Sequence, residues 1–144
     1  MATVGFREMF SALLSASGRG RAARTVEVFG WLILAEGSIE FLAPDFAAAV
    51  LHLPPLVEQA ANYFRLVGLL TGGLGMLYVA TGRLGSEAFV FASMLDRPLV
   101  PFVMAGLWHF NLIPWQLAVA FSLQDFGSFL WTLLTWRAEA GVQA

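Results

Sequence analysis

Eight charged or amide side chains interrupt otherwise apolar stretches of this chain, and they are the groups best able to bind a ligand or a proton. They are Glu36, Glu40, Asn62, Arg65, Asp96, Arg97, Gln124 and Asp125. If these stretches cross a membrane, each charge at the bilayer centre costs about 2.5–3.5 kcal/mol. We therefore expect the side chains to face the protein interior, to pair, or to be neutralised. Ionisable groups inside a membrane mark functional sites by default.

Carboxylates outnumber arginines in this set. Four carboxylates, Glu36, Glu40, Asp96 and Asp125, face two arginines, Arg65 and Arg97. Because burial disfavours an ionised carboxyl, we expect one or two of the acids to hold a proton or a bound cation. We predict that Glu36 or Glu40 pairs with Arg65, whose depth matches, and that Asp125 either bonds Arg97 or keeps a proton. The alternative is a hydrogen-bonded network that only fixes helix register.

The composition excludes several other classes of protein. Of 144 residues, 58% are apolar and 12% are charged, whereas soluble domains carry about 25% charged residues. A chain this short cannot bury so much apolar surface in an aqueous core, so we expect lipid to cover much of it. The net charge is -2, and no basic face is predicted for nucleic acid. The absence of cysteine excludes disulfides and Cys-ligated metals.

Four apolar stretches are long enough to cross a bilayer as helices, which takes about 20 residues. They cover residues 25–43, 58–81, 87–108 and 114–136. Because unpaired backbone groups are costly in lipid, these stretches must be helical. The predicted fold is therefore all-α, a transmembrane four-helix bundle in residues 25–137. An N-terminal amphipathic segment, 1–24, precedes the bundle, and a C-terminal tail, 138–144, follows it.

The arginines predict how this bundle is oriented. Five of them flank the spans on one side, namely Arg19, Arg21, Arg24, Arg83 and Arg137. The two connections on the other side, 44–59 and 109–113, contain neither Lys nor Arg. Since positive residues concentrate on the cytoplasmic side of a membrane, both termini are predicted to be cytoplasmic.

Two short helices are predicted outside the spans. Apolar residues recur at helical spacing near the N-terminus, at Phe6, Met9, Phe10, Leu13 and Leu14. This pattern favours a helix lying on the membrane surface, with a frayed terminus as the alternative. The apolar run 46–53 predicts a second short helix over the outer end of the bundle, with Asp45 as its N-cap.

Prolines and glycines predict where the spans bend and where they touch. Pro98 and Pro101 remove backbone donors directly after Arg97, so we expect the third span to be kinked or locally unwound there. Gly68 and Gly72 form a GxxxG pair, which lets another helix approach closely. The pattern leaves open whether that helix belongs to the same chain or to a second copy.

The remaining motif searches identify no catalytic residue, no metal ligand and no cofactor. His52 and His109 lie in separate connections, and two histidines alone make a poor metal site. No motif supports a haem-ligand role for His109. The sequence contains no P-loop, G-x-S-x-G or HExxH pattern.

Several short motifs resemble a known group of membrane proteins. They are Asn62-Tyr63-Phe64-Arg65-x-x-Gly68, Gly75-x-x-Tyr78, Arg97, Pro114 and Asp125. Together they resemble small bacterial four-helix membrane proteins of the DoxX-like kind, over about residues 41–135. The resemblance implies a multi-pass protein of the bacterial cytoplasmic membrane and no particular chemistry. Glu36 and the step Asp96-Arg97-Pro98 depart from the pattern, so no site is carried over there.

Three functional hypotheses follow from these features. In the first, the polar residues form the floor of a pocket for a small lipophilic ligand, such as a quinone, an isoprenoid or a lipid fragment. Phe64, Phe102 and Phe126 would form its walls, and a proton-transfer isomerase would be its enzymatic version. In the second, the chain is an accessory subunit of a larger membrane complex. In the third, an oligomer forms a proton or ion pathway. The expected partners are the lipid bilayer and either a second copy or other membrane subunits.

Overall fold

Every secondary structure element that a computed structural model describes, within residues 5–143, is helical. The predicted all-α class is confirmed. The elements are α1 (Phe6–Ser15), α2 (Arg21–Leu42), α3 (Pro44–Val50), α4 (Gln59–Arg83), α5 (Glu87–Asp96), a 3-10 turn (Arg97–Leu99), α6 (Val100–His109) and α7 (Trp115–Gln143).

Three stretches of helix are long and apolar enough to cross a membrane. They are Gln59–Arg83, Glu87–His109 and Trp115–Gly141, and they match three of the four predicted spans. The remaining helix, α2, has sufficient length at 22 residues. It fails on charge, because every 18-residue window of α2 contains at least three Asp, Glu or Arg residues. Helix α2 therefore meets the length criterion for a span but not the charge criterion.

Helix α2 occupies the middle of the fold. It packs along α4 on one side and contacts α7 and α5 on the other. Val26, Phe29 and Ile33 of α2 are buried there, in one apolar core with Tyr78 of α4 and Met94 of α5. The helix with the most internal charge is thus the one most enclosed by protein.

Glycines let the backbones of α2 and α4 touch. The residues form a glycine seam, consisting of Gly30 and Gly37 on α2 and Gly68, Gly75 and Gly82 on α4. Successive members on each helix are seven residues apart, which is two turns and keeps them on one face. A Cβ added to Gly37, Gly68 or Gly75 would lie within 2.7 Å of backbone atoms of the opposite helix. The close neighbour predicted from the GxxxG pair is therefore α2 of the same chain.

The third predicted span is interrupted where its prolines suggested. Helix α5 ends at Asp96, and Arg97–Leu99 form a 3-10 turn before α6 begins at Val100. Pro98 and Pro101 cannot donate backbone hydrogen bonds, which explains the change of winding at this point. The predicted irregularity beside Arg97 is present, but as a 3-10 turn, which is wound more tightly than an α-helix and is not unwound.

The helix ends differ from prediction in detail. Helix α3 begins at Pro44, which suits the first helical position, so Asp45 lies in the first turn and is not the N-cap. Helix α7 continues to Gln143, through most of the predicted C-terminal tail. Helix α1 forms where predicted and contains no buried residue.

Candidate functional site

The most enclosed charged group in the described part of the chain is the guanidinium of Arg97. Its residue is 0% exposed, although it stands in the 3-10 turn at the middle of an apolar span. The guanidinium carbon lies 4.2 Å from the ring centroid of Phe29 and 5.2 Å from that of Tyr78. Phe89 packs edge-on against Tyr78, with ring centroids 4.9 Å apart. Aromatic faces stabilise a cation more strongly once water is excluded, so these rings partly replace the lost hydration.

Arg97 has only one hydrogen-bonded nitrogen among the described residues. Its Nη1 donates to Oγ1 of Thr132 on α7 at 3.1 Å. The Thr132 hydroxyl lies 3.0 Å from the carbonyl of Ser128 and 2.8 Å from the hydroxyl of Thr25. Nε and Nη2 of Arg97 are buried without a partner in the described structure. A buried unsatisfied donor costs about 1–3 kcal/mol, and more when it is charged.

Three half-buried polar residues, Glu36, Gln124 and Asp125, lie about two helical turns along α2 and α7 from Phe29 and Thr132, which contact this arginine. Gln124 Nε2 donates to Glu36 Oε2 at 2.9 Å and so joins α7 to α2. Asp125 follows Gln124 on α7 and is also half-buried. We call Glu36, Arg97, Gln124, Asp125 and Thr132 the polar cluster. Of the predicted grouping, the structure joins Glu36 to Gln124, and their grouping with Arg97 and Asp125 stays a prediction.

Asp125 is predicted either to bond Arg97 or to keep a proton. Within residues 5–143, no ion pair or hydrogen bond joins its carboxylate to Arg97. The direct bond is therefore absent, and the retained proton stays a prediction.

The predicted ion pair of Arg65 is wrong. In the described structure no ion pair joins Arg65 to Glu36 or Glu40, and Arg65 Nη1 instead donates to Oδ1 of Asn62 at 3.2 Å. Asn62 is three residues away on the same helix, a favourable spacing for side-chain contact. Glu40 lies beside Gly68, which is three residues, or about one helical turn, further along α4 than Arg65. Glu40 is only 8% exposed, and its Oε2 has no partner among the described residues.

Asp96 and two of the three predicted wall residues do not take the inward positions expected of them, and the third, Phe64, is half-buried. Asp96 is exposed, because neighbouring helical residues point about 100° apart and Arg97 takes the inward position. Phe102 is 76% exposed and Phe126 also faces outward. The rings next to the buried guanidinium are Phe29 and Tyr78, with Phe89 packed against Tyr78, and the sequence predicted none of them. The seven-residue spacing of the seam glycines was the available signal, since Phe29 and Tyr78 adjoin it.

A second charged group was missed at the other end of α2. Glu27 is buried and forms ion pairs with Arg19 and with Arg83, whose Nη1 lies 3.1 Å from its Oε1. Arg83 also donates from Nε to the Leu13 carbonyl at 2.7 Å and from Nη2 to the Leu14 carbonyl at 2.8 Å. One guanidinium therefore joins α1, α2 and α4. Arg19 and Arg83 entered the sequence analysis only as markers of orientation.

Neither a group of metal ligands nor a similar known protein indicates what this site binds. Among the described residues, no three His, Asp or Glu side chains are grouped as metal ligands would be. Comparison with known proteins found no matching family model, no matching curated protein and no matching solved structure.

Proposed function

We propose that this chain is a small integral membrane protein whose polar cluster binds a small lipophilic ligand through Arg97. In this proposal α2, α4, α5–α6 and α7 form a four-helix bundle in the bacterial cytoplasmic membrane, and both termini are cytoplasmic. The ligand has an apolar body and offers one or two oxygen acceptors to the guanidinium. Quinones and lipid-derived carboxylic acids have this chemistry.

The observation that carries the proposal is the pair of unpartnered nitrogens on a fully buried guanidinium. Nε and Nη2 of Arg97 lack acceptors among the described residues, while Nη1 is used by Thr132. Guanidinium nitrogens donate in a rigid planar fork, which suits a carboxylate or a polarised carbonyl. Phe29 and Tyr78 flank the same group and would pack against an apolar ligand. A bound oxygen would supply the missing hydrogen bonds.

Membrane placement is supported by which segments share an end of the bundle. Arg83, the last residue of one apolar span, contacts carbonyls of α1. The residues before α2, the connection before α5 and the end of α7 line one cleft. The basic flanks therefore lie together, as one cytoplasmic face requires. The DoxX-like resemblance is retained as part of this proposal. Three of its motif positions are Gly75 in the glycine seam and Tyr78 and Arg97 at the guanidinium site.

The test is to identify what the purified protein carries. We expect mass spectrometry of organic extracts to detect one small lipophilic molecule at near-stoichiometric amount with the parent protein. Arg97→Gln and the charge-preserving Arg97→Lys should both lose it, because neither side chain offers the planar fork. Arg65→Gln is the matched control and should retain it, since the side chain of Arg65 bonds only Asn62 among the described residues. Parent protein that stays free of small molecules after incubation with a total lipid extract would refute the proposal, and a stoichiometric co-purifying chain would favour the accessory subunit.

A second candidate is proton binding by Glu40 and Glu36. Oε2 of Glu40 is buried and lacks a partner in the described structure, and Glu36 lies close enough on the same helix to act on it electrostatically. Two carboxylates placed in this way can share one proton. Infrared spectroscopy should then detect a protonated carboxyl band that disappears in Glu40→Gln. If the band is absent at neutral pH in the parent protein, this candidate is excluded.

A further inference from the structure

A cleft of about 700 Å³ opens at the end of the bundle where α2 and α5 begin and where α7 approaches its end. Its lining includes Arg21, Glu87, Val90, Trp136 and Glu139. The lining therefore combines both signs of charge with apolar and aromatic surface. None of these five residues belongs to the polar cluster.

The cleft lies at the level where the apolar spans begin. Glu87 is the first residue of the span Glu87–His109, and the preceding span ends at Arg83. Trp136 adds the kind of amphipathic ring that is enriched at membrane–water boundaries. A bilayer around these spans would place lipid headgroups beside the cleft and acyl chains beside Val90.

One of the two acids in the cleft is already engaged. The Glu139 carboxylate accepts hydrogen bonds from the backbone nitrogens of Arg21 and Ala22, the latter at 3.2 Å, and so caps the N-terminus of α2. Gly20 makes room for it, because a Cβ there would lie 3.2 and 3.3 Å from its two carboxylate oxygens. Within the described residues, the side chains of Arg21 and Glu87 are exposed and have no hydrogen bond or ion pair.

We propose that this cleft binds the headgroup of an amine-bearing phospholipid. The phosphate contacts the Arg21 guanidinium, the ammonium group contacts the Glu87 carboxylate, and the acyl chains pass Val90 and Trp136 into the adjacent leaflet. A purely anionic headgroup is disfavoured by Glu87 and Glu139, whereas a zwitterion satisfies both signs of charge. The site rests on the membrane placement proposed above and is independent of ligand binding at Arg97.

Native mass spectrometry of protein released from nanodiscs tests this site. The discs contain equal amounts of phosphatidylethanolamine and phosphatidylglycerol, so both lipids compete for the cleft. The parent protein should retain phosphatidylethanolamine about fivefold over phosphatidylglycerol, the preference expected for one charge pair near a membrane surface. Glu87→Gln should bring the ratio to near one, and Arg21→Gln should reduce retention of both lipids.

Matched controls separate this site from general surface charge. Glu58→Gln removes an exposed acid that does not line the cleft, and Arg24→Gln removes an exposed arginine of the same helix as Arg21. Both should behave like the parent. Equal retention of the two lipids by the parent, preference for phosphatidylglycerol, or an unchanged ratio in Glu87→Gln would each overturn the site. A water-soluble phosphoethanolamine that displaces the lipid equally well would show that the headgroup alone is recognised and would refute the role of the acyl chains.

Failure of the lipid site and failure of the proposed function give different experimental results. A chain recovered in the soluble fraction of cells would refute membrane placement. A membrane-embedded chain without lipid preference would refute the cleft alone. Loss of the lipophilic ligand in Arg97→Gln, with lipid retention unchanged, would support the polar cluster without bearing on the cleft.

Discussion

Replacing Gly68 by alanine tests the contact between α2 and α4 more directly than any charged substitution. The added Cβ would lie 2.6 Å from the backbone nitrogen of Phe41, 2.7 Å from the Gly37 carbonyl oxygen and 2.8 Å from the Cβ of Glu40. These atoms belong to the body of α2, so no side-chain rotation can make room. An ordinary contact begins at 3.4 Å, so the helices must separate locally by about 0.8 Å.

That separation should be costly along the whole seam. Inserting a methyl group into closely packed structure typically costs about 1–3 kcal/mol. In lipid this loss is not offset by water release, because helix association depends mainly on close packing. Moving α2 away from α4 would also separate Phe29 from Tyr78, the two rings on Arg97. We therefore expect Gly68→Ala to lower the free energy of unfolding by about 1–3 kcal/mol and to weaken ligand retention.

Gly73→Ala, on the same helix, is the matched control. A Cβ at Gly73 meets no atom within 4 Å. Alanine there should leave stability unchanged or raise it by up to about 1 kcal/mol through helix propensity. Unfolding by sodium dodecyl sulfate in mixed micelles measures both variants against the parent. If Gly68→Ala is no less stable than Gly73→Ala, the backbone contact between α2 and α4 is wrong.

Three further predictions address the charged groups and the topology. Thr132→Val removes the acceptor of Arg97 and should lower the free energy of unfolding by about 1–3 kcal/mol. The control is Thr135→Val, whose hydroxyl bonds only a carbonyl of its own helix among the described residues and which should change that free energy by under about 0.5 kcal/mol. Equal effects of the two substitutions would show that the hydrogen bond from Arg97 to Thr132 does not stabilise the fold. Arg83→Lys should speed amide exchange in α1 but not in α7. The two α1 carbonyls and Glu27 are bound by three separate guanidinium nitrogens, whereas the donors of lysine all lie on one nitrogen. Unchanged α1 protection would contradict this. Single cysteines at Val50 and Ala140 should react with an impermeant label in intact cells only at Val50, and the reverse would invert the proposed orientation.

Features that depend on local spacing were predictable from the sequence. The apolar stretches are helices, the winding changes at Arg97–Leu99, and α1 forms where apolar residues recur at helical spacing. Each of these follows from backbone chemistry within a few residues of chain. The inward position of Arg97 also followed from cost, because a guanidinium at mid-span is expensive unless protein surrounds it.

Pairings between helices were not predictable in the same way. Depth alone favoured Glu40 as the partner of Arg65, but contact also requires both side chains to point into the same gap. That condition depends on helix rotation and on register, which the seam sets by bringing Gly68 beside Glu40. A sequence count of charges could not supply this rotation. The seven-residue spacing of the seam glycines indicates which faces of α2 and α4 meet, whereas the GxxxG pair alone does not.

Helix α2 lies at the centre of the fold because its charged side chains are costly to expose to lipid. Glu27 and Glu40 are both buried, so this helix needs protein rather than lipid on more than one face. The glycine seam allows α4 to cover one face at backbone distance, and α7 supplies Gln124 and Thr132 on another. Alone, α2 carries too many charges to insert as readily as its neighbours. In the proposed four-helix bundle, α2 is therefore expected to be stable only together with α4 and α7, and its bonds to Gln124 and Thr132 form only when these helices have assembled.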